Sequence, residues 1–374
     1  MTLDNSTRSV AHLELLGIGS HRHKTFKHNL LKAMEDLNIV HPVSEVTSLG
    51  DLLNYNITGI PALVINGRVV FQNEVPSIED LKVVLSSVLA HPRARFSIDK
   101  ILVPTDFSEA ADNAYRYAGR LAKTLDAQLK LVHIHQEVST VASLSHLPIG
   151  QPELIQMKKD LLDQRVKELS NGAFSLDVEQ ELLVGSVQEQ LKALGTGDQY
   201  DLMVLGATGE GATRLDRIGS HASSIARKAD CPVLLVPEEG SFQPFRRILF
   251  ASKLTPGEES VWPKAVSMAA HFGAEIHFVH IQDNQVNGYH LGQAQGGAYA
   301  LDKGTFIRMA TLKAKNVIDG LNQYVEDQEA DLLIMPTTHR NFLQDLFHKS
   351  ATHRMIFTTQ IPLLVLHFSM SDTA

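Results

Sequence analysis

The chain has 374 residues, 44% hydrophobic and 20% charged, which calls for two or three domains and excludes general disorder. A formal net charge of −8 and a pI near 6.1 exclude an overall attraction to nucleic acid or to an anionic membrane. The polar start, the lack of an apolar run of about 18 residues and a single cysteine, Cys231, set the expectation of a cytoplasmic protein without membrane spans or an intrachain disulfide framework.

Two short polar seams, AHPRARF at 90–96 and PEEGSFQPF at 237–245, divide the chain into segments 1–92, 96–238 and 245–369. In the first, LELLGIG predicts a strand, residues 24–37 a helix and PVSEV a second strand. PALVINGRVVF then predicts a hairpin turning at Asn66-Gly67, and Ser77 with Asp80 is spaced as a capping box for a last helix. This order resembles the thioredoxin-like domains, whose Cys-x-x-Cys would fall at Ser20 and His23 and whose cis-proline would be Pro61. With no thiolate in the segment, dithiol exchange is excluded. His21, His23 and His28 leave two readings. A metal site needs ligands that the neighbouring sequence does not supply, whereas a basic helix mouth would suit an anion or a protein partner.

The second and third segments are a repeat. Ile248 follows Ile101 by 147 positions, as His280 follows His133, whereas Asp331 follows Asp201 by 130. The third segment is therefore 17 residues shorter in its middle. Each copy reads as strand, helix, strand, a variable helical stretch, then strand, loop, helix and strand. Continuously apolar runs such as LKLVHI and LMVLG suit strands covered on both faces, so a doubly wound parallel α/β sheet is expected. Ligands of such sheets bind beyond the carboxyl ends of the strands. His133, His280 and Cys231 read as core residues, and the glycine-rich GQAQGGAYA at 292–300 as a mobile connection.

The sixteen residues 206–221, GATGEGATRLDRIGSH, lie between the strand LMVL and a helix expected to begin near Ser220 and bury Ala222, Ile225 and Ala226. Glycines here admit either simple turn punctuation or close approach of a phosphate to backbone N–H groups at a helix N-terminus. The loop is neither a Walker A motif nor a dinucleotide fingerprint, and neither GIGSH nor RIGSH is a hydrolase elbow.

Gly206, Gly209, Gly219 and Ser220, with the opening Pro104-Thr105-Asp106-Phe107-Ser108, resemble the ATP-binding subgroup of the universal stress protein family. That resemblance implies a Rossmann-like fold and ATP as cofactor, with or without Mg2+. It would place Asp106 on the nucleoside and Pro104 and Ile134 around the adenine, with Thr105 from the same opening motif beside them. Leu205, Gly206 and Gly209 would border ribose and phosphates, and Gly219, Ser220, His221 and Ala222 would hold the phosphate chain. The third segment is similar to the same family but has Pro336, His339 and Lys349 in place of the three glycines and Lys253 in place of Asp106; only Ser350 is kept. Nucleotide is therefore expected mainly in the first copy. The family's pairing through last strands implies an internal pseudo-dimer through PVLLVP and PLLVLHF, leaving a homodimer open. The function implied is regulatory, in stress adaptation, with slow ATP hydrolysis left open and no catalytic residue assigned. The alternative is a scaffold that binds no nucleotide and docks protein partners through all three domains.

Overall fold

A computed structural model describes residues 11–89, 97–136, 151–170, 176–196, 199–207, 220–283, 289–292, 298–300, 305–314, 317–338 and 361–368. The N-terminal unit runs β1 (Leu13–Leu16), α1 (His21–Asp36), β2 (Val43–Val46), α2 (Leu49–Leu52), β3 (Ala62–Ile65), β4 (Arg68–Gln72) and α3 (Ile78–Val88). Its sheet has the order β2-β1-β3-β4, with β1–β2 parallel and the other pairs antiparallel. Phe26, Leu30 and Ala33 fall on one face of α1 by helical spacing and are fully buried, with Phe26 edge-on to Phe71 at 6.0 Å. Asn66 and Gly67 both take positive φ, 50° and 78°, the tight turn expected of Asn-Gly. Ser77 and Asp80 close the capping box, and the Ile60–Pro61 peptide is cis.

The first repeat follows as β5 (Lys100–Thr105), α4 (Glu109–Leu125), β6 (Gln128–His135), α5 (Gln151–Ser170), β7 (Val178–Val184), α6 (Val187–Gly195), β8 (Leu202–Gly206), α7 (Ser220–Lys228) and β9 (Val233–Val236). The second repeat comprises β10 (Arg247–Ser252), a 3-10 turn (Glu258–Ser260), α8 (Trp262–Phe272), β11 (Glu275–Asp283), β12 (Tyr289–Gly292), β13 (Ala298–Ala300), β14 (Phe306–Ala314), α9 (Val317–Asp327), β15 (Leu332–Thr337) and β16 (Leu363–His367). Successive strand residues alternate between two helix-covered layers. Ile101, Val103 and Val204 join one buried cluster, and Leu102, Met203 and Leu205 the other.

Both repeats share one twelve-stranded sheet, whose central seam is β16 against β9, antiparallel, with Leu364 opposite Leu234. The two last strands thus close each other's edges, and the internal pseudo-dimer is a structural fact of the chain. Three features depart from expectation. The variable stretch contains a strand in each repeat, β7 parallel to β6 and β14 parallel to β11. In β7 Val178 and residues 181–183 are half-buried and the others exposed, so this strand has no fully buried residue, and its sequence, VEQELLV, is polar through its first half. The middle of the second repeat, expected to be helical, holds β12 and β13, which pair antiparallel with β14; of the glycine-rich 292–300, Gly292 and Ala298–Ala300 are strand. The helix expected before β16 lies outside the described residues.

Candidate functional site

In the first repeat β5 lies between β8 and β6, so the chain leaves it in opposite directions along the sheet, a topological switch point. Thr105 is opposite His133 on β6, and β5 pairs in parallel with β8 at Ile101–Leu202 and Leu102–Met203, so the carboxyl ends of the three strands lie on one side of the sheet. Pro104, Thr105 and Asp106, Ile134, and Leu205 with Gly206 therefore reach one carboxyl edge together. Pro104 and Gly206 are half-buried, Asp106 exposed, and Ile134, Leu205 and Ala207 buried.

The turn from β5 into α4 is tied by its own side chains. Thr105 Oγ1 accepts the Phe107 N–H at 3.0 Å, Asp106 Oδ1 accepts the Ser108 N–H at 3.0 Å, and Ser108 Oγ caps the helix on Ala111 N. Phe107 takes φ 65° and lays its ring on His133, centroids 4.4 Å apart. His133 Nδ1 is 2.8 Å from the Thr105 carbonyl, which can only accept, so Nδ1 carries the proton and Nε2 accepts from Lys158 Nζ at 3.2 Å. Burial, with Lys158 adding to it against the Thr105 carbonyl, lowers the affinity of His133 for a second proton. His133 is a satisfied core residue, as expected, and Lys158 is a partner that sequence reasoning did not find because it arrives from α5.

Of the remaining loop residues, Gly209 and Gly219 lie outside the described residues. Ser220 and His221 open α7, and Ala222, Ile225 and Ala226 are buried beneath it, as the helical spacing predicts. Cys231 is buried, which pushes its thiol up to about 11 and leaves it inert as a nucleophile at neutral pH.

The universal stress protein family model matches residues 97–237 and again 244–367. The chain belongs to the universal stress protein family. A thioredoxin domain model matches residues 12–86 ahead of the two universal stress protein repeats. A universal stress protein of Methanocaldococcus jannaschii is 32% identical over 143 residues, 37% of this chain and 81% of its own length. One from Synechocystis sp. is 24% identical over 290 residues, 71% of this chain and 98% of its own. The crystal structure of a universal stress protein from Archaeoglobus fulgidus shares the fold, with TM-score 0.54 and 16% identity over 74% of this chain and 98% of that one.

The second universal stress protein repeat builds its strand-end turn differently. Gly257, at φ 92°, and the 3-10 turn stand where the first repeat already has helix, and α8 begins only at Trp262. Glu258 is buried in this turn and accepts hydrogen bonds from Ser252 Oγ, Thr255 N and Trp262 Nε1. Burial raises its pKa against these donors, a burden that no motif around Glu258 signals. Lys253 is exposed and Pro336 buried; His339, Lys349 and Ser350 lie outside the described residues. His280, expected to be a satisfied core residue like His133, is only half-buried, and its buried Nδ1 has no hydrogen-bond partner among the described residues.

At the mouth of α1, His21 and His28 are exposed but His23 is buried, contrary to a wholly solvated histidine cluster. Its Nε2 lies 3.0 Å from Glu45 Oε2, and Lys27 Nζ reaches the other carboxylate oxygen. Lys27 first and His23 second hold the Glu45 carboxyl below its ordinary range. The carboxylate missing from the local sequence comes from β2, brought alongside by the parallel pairing with β1. No group of three or more metal-binding side chains occurs among the described residues. Among them, too, no helix is long and apolar enough to cross a membrane.

Proposed function

We propose that the first universal stress protein repeat, residues 96–238, binds an adenine nucleotide, ATP, and that the protein regulates in response to it without catalysis as its main task. The carrying observation is that Pro104–Asp106, Ile134 and Leu205–Gly206 lie at the carboxyl ends of three adjacent parallel strands. The residues fit the group: apolar Pro104, Ile134 and Leu205 flank small Gly206, Ala207 and Ala222, with one carboxylate, Asp106, at the rim. Asp106 would hold the nucleoside, and Gly209, Gly219, Ser220 and His221 would meet the phosphates at the N-terminus of α7. The second repeat, 245–369, with Lys253 and Pro336 at the matching places, would not hold nucleotide in this way. The protein is placed in the cytoplasm on the same reading. A protein partner is proposed at the α1 end of the N-terminal unit, residues 1–92, where Ile18, Leu49 and Leu53 are exposed.

Calorimetric titration of the full chain with ATP, beside mass analysis of nucleotide released on denaturation, tests the site. Asp106→Ala should weaken ATP binding about tenfold, the loss of a hydrogen bond to a charged group, and Gly219→Trp should abolish it. If wild-type protein neither carries nor binds an adenine nucleotide, or if Gly219→Trp binds unchanged, the reading is wrong and a scaffold remains.

A further inference from the structure

Helix α3 of the N-terminal unit is buried on two opposite faces. Leu81 and Leu85 belong to the same buried cluster as Phe26, Leu30 and Phe71 of their own unit. Val83, two residues from Leu81 and therefore about 160° around the helix from it, is nonetheless completely buried. That second face carries Glu79 and the small residues Ser86 and Ser87, whose hydroxyls turn back onto the Val83 carbonyl and leave the helix surface low. It packs against α8 and the 3-10 turn of the second repeat, and β4 approaches β13. The buried cluster runs without a break from Phe26, Leu30 and Phe71 through Leu81, Val83, Val84 and Leu85 of α3 to Trp262, Ala265 and Met268.

The same surface of the first repeat is covered from within. By the 147-residue offset α8 corresponds to α4, and α4 is covered by α5, which sends Arg165 to Asp112 at 3.3 Å and Lys158 to His133. Between β11 and β14 the second repeat has β12 and β13 and, among the described residues, no helix. His280 corresponds to His133, and the charge acting on it comes from Glu79 of α3. One helix thus packs against each corresponding helix, α5 against α4 and α3 against α8, and each brings a charged side chain within electrostatic reach of the strand-end histidine.

We propose that α3 takes on the second repeat the place that α5 holds on the first, so that the N-terminal unit completes the repeat that lost its own helix. The thioredoxin-like unit is then a fixed part of the body, held through the back of α3. The end carrying Ile18, Ser20 and Pro61 is not the end that docks. Complementation also accounts for Gly257 and the 3-10 turn: shortening the start of α8 makes the notch into which α3 fits. The inference is independent of nucleotide binding.

The chain's single tryptophan, Trp262, is 3% exposed at the start of α8 and reports this contact without a label. In the full chain, Val83→Asp places a charge on the docking face and leaves the Leu81–Leu85 face untouched. Acrylamide quenching of Trp262 is expected to rise at least twofold and its emission to shift to the red, while Val83→Ile leaves both unchanged. A second arm needs no disruption. Glu79→Cys with His280→Cys should be joined by a short bis-maleimide within the intact chain, since the native Cys231 is buried. Unchanged quenching in a folded Val83→Asp protein, or failure of the 79–280 pair to cross-link, overturns the proposal; should Val83→Asp not fold, the cross-link decides alone.

Discussion

Asp201 and Asp331 show how much one side chain can fix. Asp201 Oδ2 accepts the backbone N–H groups of Asp99 and Lys100, each at 2.9 Å, and Asp331 does the same for Arg246 and Arg247. A carboxylate at the amino end of one central strand thereby sets the start of its neighbour in both repeats. His277 is a residue of the opposite kind. Fully buried on β11, with Nδ1 3.0 Å from the Tyr324 hydroxyl and Nε2 3.3 Å from Glu275, it is pushed down to about 4 chiefly by burial, which outweighs Glu275. Its folded pKa lies below its unfolded value near 6.5, so the unfolded chain binds more protons between those values. Stability from this group is complete above pH 6.5 and falls as the pH drops toward 4, by on the order of 3 kcal/mol. Urea midpoints measured from pH 7 to 4 should show this acid limb, and His277→Gln should flatten it; an identical limb in the variant would assign it to other groups.

Among elements, the β9–β16 seam decides whether the two repeats are one body. Val233, Leu234 and Leu235 face Leu363, Leu364 and Val365 across an antiparallel ladder, every side chain buried. A charge at Leu364 would be trapped between helix layers, and Leu364→Asp is expected to cost at least about 3 kcal/mol. Freed β9 edges would then seek other chains. Denaturant titration with size-exclusion chromatography should find a lowered midpoint together with higher oligomers; a stable monomer would mean the seam contributes little.

For the whole molecule, the continuous sheet and the α3–α8 contact leave no unit standing alone. Trp262 fluorescence, which reports the second repeat, and far-UV circular dichroism, which reports all units, should therefore give coincident unfolding curves. ATP at a hundred times its dissociation constant should raise stability by about 2.7 kcal/mol by linkage. That gain should appear at Trp262 although the proposed site is in the other repeat. A shift seen only in dichroism would show the repeats unfolding separately.

Legibility in the sequence followed the range of the interaction. The apolar strands, the Asn66-Gly67 turn, the Ser77–Asp80 box and the inward face of α7 were readable because each rests on residues a few positions apart. The candidate site was readable for a related reason: Pro104–Asp106, Ile134 and Gly206 all end strands, and parallel pairing brings strand ends to one edge. β7 was missed because it is an edge strand with no fully buried residue, β14 because buried and more exposed residues are interspersed along it, and β12 and β13 because their pairing partner lies farther along the chain. Glu45 beside His23, Lys158 beside His133 and the burial of Glu258 are contacts between elements, and periodicity is blind to them. By itself the sequence determined the duplication, the loss of 17 residues from the second copy and the absence of a dithiol. Only the tertiary structure decided what covers the surface at α8, because burial on the second face of α3 depends on a helix nearly two hundred residues away.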